Sequence, residues 1–65
     1  MNWDQLKGNW KQFTGQLKSK WGKLTDDDWT FISGKKDALV GKLQEKYGFK
    51  KDDAEKEVDD FIRRL

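Results

Sequence analysis

The chain is nearly the same pattern written twice, 26 residues apart. Gly8 recurs as Gly34, Gly15 as Gly41, Leu17 as Leu43, Lys20 as Lys46, Gly22 as Gly48, and Asp26-Asp27 as Asp52-Asp53. The apolar positions follow the same offset: Trp3 with Trp29, Leu6 with Ile32, Phe13 with Leu39, and Trp21 with Tyr47. Two near-copies within 65 residues restrict the chain to two similar units packed on each other.

Apolar spacing makes those units helical. Trp3, Leu6, Trp10, Phe13, Leu17 and Trp21 follow at steps of three and four, one face of a helix over residues 2–21. Asn2 and Gln5 form a capping-box pair at its start, and Gly22 is expected to end it in the left-handed conformation. Gly8 and Gly15 fall inside the pattern, each about 1 kcal/mol less favourable than alanine. Their expected role is close approach of another helix, with Gly8 as a candidate kink. Thr25 caps a second helix whose first turn holds Asp26, Asp27 and Asp28 and whose apolar side is Trp29, Phe31 and Ile32. Gly34 is expected to end or bend it.

A third helix runs from about Lys35 to Tyr47, with Leu39, Val40, Leu43 and Tyr47 inward and Gly48 at its end. The last begins near Asp52, with Asp52 and Glu55 as a capping-box pair. Ala54, Val58, Phe61, Ile62 and Leu65 form its apolar side, and Arg63 and Arg64 sit at its negative end. The expected fold class is all-α: one domain over residues 1–65, a small bundle of about four helices built from two repeated helical-hairpin units. The expected core is Trp3, Leu6, Trp10, Phe13, Leu17, Trp21, Leu24, Ile32, Leu39, Leu43, Tyr47, Val58 and Phe61.

Composition narrows the chemistry. No cysteine means no disulfide, thiolate metal site or cysteine nucleophile, and no histidine removes the commonest general base and metal ligand. Charged residues are 40% of the chain, yet the net charge is +2, so composition alone does not point to nucleic acid. Charge alternates in blocks instead. Residues 1–25 and 35–51 each carry a net +4, and residues 26–34 and 52–65 each carry −3. Basic long helices and acidic partners should attract when packed. No apolar run approaches the ~20 residues that span a bilayer, and Met1-Asn2-Trp3-Asp4 does not read as a signal peptide. A cytoplasmic monomer is expected. The mean hydropathy of −1.12 with six glycines resembles the hydrophilins of desiccation and osmotic stress. An aromatic content of 14% nevertheless favours a folded domain.

Three strings carry a family resemblance: Gly8-Asn9-Trp10-Lys11-Gln12-Phe13, Trp21 to Asp28, and Leu39 to Gly48. With Ala54-Glu55 and Val58-Asp59, they make the chain similar to the CsbD-like family of small bacterial general-stress proteins over nearly its whole length. The resemblance implies a cytoplasmic bundle of about four short helices, produced under stress, with no activity or cofactor to transfer. Thr14 and Gln16 stand where the family commonly has lysine, which weakens any argument from basicity. Trp29 and Phe61 exchange one apolar anchor for another.

The candidate chemistry is sparse. Asp26-Asp27-Asp28 carries oxygens suited to a divalent cation but lacks the glycine and distant glutamate of an EF-hand loop, and helix capping accounts for it. Paired carboxylates need a cleft that separates their pKa values, and a bundle this small has little room for one. A non-enzymatic protein without cofactor or metal is expected. Lys7, Lys11 and Lys18 share one stripe of the first helix, and Lys35, Lys42 and Lys46 do much the same on the third. These six are the candidate contacts for a polyanion such as nucleic acid, with a protein partner or an anionic membrane as alternatives. The tryptophans fall on the opposite, apolar stripe.

Overall fold

The computed structural model describes residues Met1–Leu65 and contains five helices and no strand. They are α1 (Trp3–Gly8), α2 (Trp10–Lys20), α3 (Asp26–Ile32), α4 (Lys36–Tyr47) and α5 (Lys51–Arg63). The expected all-α bundle is present, but the first expected helix is two. Asn2 caps α1 through the Asn2–Gln5 box, its Oδ1 accepting from Gln5 N at 2.9 Å. The chain then breaks at Asn9, which leaves helical geometry at φ −118°, ψ 35°. Asn9 Nδ2 donates to Gln5 O at 3.0 Å, and the Asn9 carbonyl accepts from Gln12 N and Phe13 N at 2.9 and 3.2 Å. One residue thus closes α1 with its side chain and opens α2 with its backbone.

One pair of helix starts keeps the 26-residue offset of the sequence pattern. α2 begins at Trp10 and α4 at Lys36, 26 residues later. Before α4 the turn is made by Ser33 and Gly34, both in the left-handed region at φ 41° and 82°. α3 itself starts on a complete box, Thr25 with Asp28.

Three other expectations are corrected. Gly22 does not end a helix in the left-handed conformation; α2 closes on Trp21 at φ −121°, and only Gly34 and Gly48 among the glycines have positive φ. Gly8 and Gly15 admit no neighbour, since a Cβ built on either meets nothing within 4 Å. The Asp52–Glu55 box does not form, because the N-cap of α5 is Lys50, two residues before Asp52. Asp52 and Asp53 then act only as negative charges in its first turn.

The core draws on every segment after α1: Leu17, Trp21, Leu24, Trp29, Ile32, Leu39, Val40, Leu43, Ala54, Val58 and Ile62. α4 packs on both α3 and α5 and forms the centre of the molecule. Of the expected core, Trp3, Trp10, Phe13, Tyr47 and Phe61 are half-buried and pack around it. Trp29, Val40, Ala54 and Ile62 are buried beyond the expected set. Phe31, expected inward, is 65% exposed beneath the ammonium of Lys42. The block charges attract as expected: Lys18–Asp26 joins α2 to α3, and Lys36–Asp59 joins α4 to α5.

Candidate functional site

The six candidate lysines divide into two groups. Lys42 and Lys46 turn inward onto Asp28, at 3.2 and 3.7 Å. Asp28 is the one charged residue in the core; its Oδ2 accepts from Thr25 N at 2.9 Å while its own N–H donates to Thr25 Oγ1 at 3.2 Å. The hydrogen bond from the Thr25 backbone lowers the Asp28 pKa to about 2, against the opposing effect of burial and with the help of Lys42. Lys42 is raised in turn, chiefly by its hydrogen bond to Asp28. These charges are committed to the fold. A sequence signal for this existed: an acid at the third position of a capped helix, facing a basic helix.

Lys7, Lys11 and Lys35 are exposed and pair with no carboxylate. Lys18 meets Asp26 at 3.1 Å, and both side chains remain largely in solvent. Such a pair contributes little and exchanges readily with other ions. From Gln5 to Thr25 the chain has five lysines and no acid.

Lys11 and Lys18 are two helical turns apart on α2 and line one groove of about 300 Å³ between α2 and α3. Its apolar wall is Trp10 and Trp29, whose ring centres lie 6.2 Å apart at 51°. Trp3 continues this array, 6.0 Å from Trp10, and its Nε1 donates to Gly34 O at 2.9 Å. Trp29 differs: its residue is 3% exposed and its Nε1 is buried without an acceptor. An unpaired buried donor costs about 1–3 kcal/mol. The Thr14 and Thr30 hydroxyls, also in the groove, spend their protons on Lys11 O and Asp26 O and offer only acceptor lone pairs.

Sequence periodicity located Lys11 and Lys18 but not this groove. Periodicity places Trp10 in the core, whereas the ring is half-buried and lines the groove. No group of three or more acidic side chains is arranged to hold a metal ion, and no helix is long and apolar enough to cross a membrane.

The CsbD-like family model matches residues 4–56. The chain belongs to the CsbD-like family. Its relatives include the UPF0337 protein YjbJ of Escherichia coli, 64% identical over 64 residues, covering 98% of this chain and 93% of that protein. The YjbJ of Salmonella typhimurium is equally similar, with 91% of that protein covered. UPF0337 protein PA4738 of Pseudomonas aeruginosa is 57% identical over the full length of both chains. The resemblance drawn from the three motif strings is therefore one of family.

Proposed function

We propose that this CsbD-like chain is a non-enzymatic, cytoplasmic general stress-response protein that acts by binding or shielding other macromolecules. Membership of the family supports the stress role. One structural observation carries the molecular half. Asp28, the only buried charged side chain, is occupied by a helix cap and two lysines. The remaining ionisable groups lie at or near the surface, where they meet partners rather than reactants. Catalysis by perturbed acid and base groups has no support in such a distribution.

The test is protection of a labile enzyme through drying and rehydration. At equal mass the chain should preserve more activity than albumin, and equal protection by albumin ends the shielding reading. Crosslinking in stressed cells then separates a defined partner from many weak ones.

Contact with nucleic acid is the second reading, favoured by the acid-free stretch from Gln5 to Thr25. An anionic membrane is less well served. The apolar stripe of α2 lies against the core through Leu17 and Phe13, and its exposed residues (Lys11, Gln12, Gly15, Gln16, Lys18, Ser19 and Lys20) include no apolar side chain to insert among acyl chains.

A further inference from the structure

We propose that the groove between α2 and α3 is a binding site for a nucleotide unit, with its phosphate on Lys11 and Lys18 and its base against Trp10. The inference rests on the binding reading above and gives it a place and a ligand chemistry.

Three independent features converge there. Lys11 is an exposed cation without a carboxylate partner, and Lys18 is held only by the solvent-exposed Asp26, so a phosphate finds one free ammonium and one easily released. Trp10 supplies a half-buried indole, and aromatic surfaces accept any base because every base has a π-face. The Thr14 and Thr30 oxygens accept but do not donate, which suits sugar hydroxyls and base N–H groups.

A purely anionic ligand leaves those acceptors unused, and a purely apolar one leaves Lys11 unused. A nucleotide engages both sets. The groove's 300 Å³ suits one such unit and is lined on one side by an aromatic ring. A free mononucleotide and a nucleotide within a single strand share this chemistry. A duplex does not, since its base faces are stacked on one another and closed to the indole.

The test titrates the full chain at low salt with thymidine monophosphate, a fluorescein-labelled oligothymidylate and a duplex of the same length. Anisotropy reads the labelled ligands and tryptophan quenching the free one. Trp10→Leu should weaken binding about tenfold. Lys11→Gln should weaken it several-fold and lower the log–log salt slope for the strand by about 0.7. Lys51→Gln removes the same charge outside the groove and should change affinity less than about twofold. Circular dichroism confirms that each variant folds, and Lys11, being exposed, keeps the test valid if Trp10→Leu does not.

That pattern with the oligothymidylate assigns the groove to strands; the same pattern with the monophosphate alone assigns it to free nucleotides. Equal losses for Lys11→Gln and Lys51→Gln, preference for the duplex, or flat titrations overturn the site. Flat titrations with enzyme protection intact overturn the groove alone, whereas loss of protection overturns the broader reading.

Discussion

Lys42 Nζ lies 3.2 Å from Asp28 Oδ1, fastening the middle of α4 to the first turn of α3. The same carboxylate completes the Thr25 capping box, so one buried side chain both starts a helix and docks it. An alanine at position 28 loses both functions, and Lys42 and Lys46 then lack their shared counter-ion.

Thr25→Ala should therefore lower stability by about 1 kcal/mol, the ordinary effect of removing an N-cap. In a domain of this size that corresponds to a fall of about 5 °C in melting temperature. Thermal denaturation followed by circular dichroism measures it. Asp28→Ala should lower the midpoint further, because it removes the ion pairs as well. Equal midpoints for the two variants would refute the docking role.

The pH dependence has a definite sign. Asp28 titrates at about 2 in the folded chain and at 3.8 unfolded, so on acidification the unfolded state takes up its proton first. Its contribution is complete above about pH 5 and disappears as pH falls through 3.8 to about 2. The difference in urea midpoint between the natural chain and Asp28→Asn should shrink across that window and stay constant from pH 5 to 8. Lys42 acts oppositely: its raised value adds stability at neutral pH that is lost as alkali rises above 10.5.

Glycine substitutions should split by backbone conformation. Gly15 and Gly41 are helical, and a Cβ on either meets no atom within 4 Å. Replacing each with alanine should stabilise the protein by about 0.5–1 kcal/mol, and the two gains should add. Gly48→Ala should destabilise by about 1–2 kcal/mol, since φ there is +72°. Denaturant midpoints of the three variants decide the matter.

Burial separates two large apolar side chains in the same way. Phe31→Ser should change stability by less than about 0.5 kcal/mol, because the ring is already largely in water. Leu43→Ala, at a fully buried site, should lose about 2–5 kcal/mol. Total stability for a chain this long is on the order of 3–10 kcal/mol, so the second variant should lose a large fraction of it and melt at a markedly lower temperature. Near-ultraviolet circular dichroism distinguishes the two.

Trp3→Phe should release α1 without unfolding the rest. It deletes the 2.9 Å hydrogen bond from Trp3 Nε1 to Gly34 O, an interaction of about 1 kcal/mol. α1 is only six residues long and too short to persist alone. Its amides should exchange faster by about fivefold while those of α4 are unaffected. Native-state hydrogen exchange reports both.

Much of the architecture was legible because local chemistry and apolar spacing agree. Thr25, Gly48 and the Leu39–Leu43 stripe place α3 and α4 within a residue of their observed bounds. The candidate kink at Gly8 lies beside the observed break, but a full interruption at Asn9 is not signalled, because the apolar stripe runs unbroken through it. The repeat held the missing information: Gly8-Asn9 occupies the position of Gly34-Lys35, where a helix also restarts. The burial of Trp29 and exposure of Phe31 depend on which side of a seven-residue helix meets α4, and two aromatic options two positions apart do not fix that rotation. The groove was invisible for a related reason. It needs side chains from α2, α3 and the Ser33 turn at once, and only the packed structure brings them together.

The indole array has an optical consequence. Trp3, Trp10 and Trp29 sit 6.0 and 6.2 Å apart with ring planes inclined by 57° and 51°. Chromophores fixed so near one another, at a skew, couple their ultraviolet transitions and give the molecule a built-in chiroptical signature of the seam joining its first three helices. Any event that prises those helices apart, drying included, writes itself into that signal without a dye or a tag.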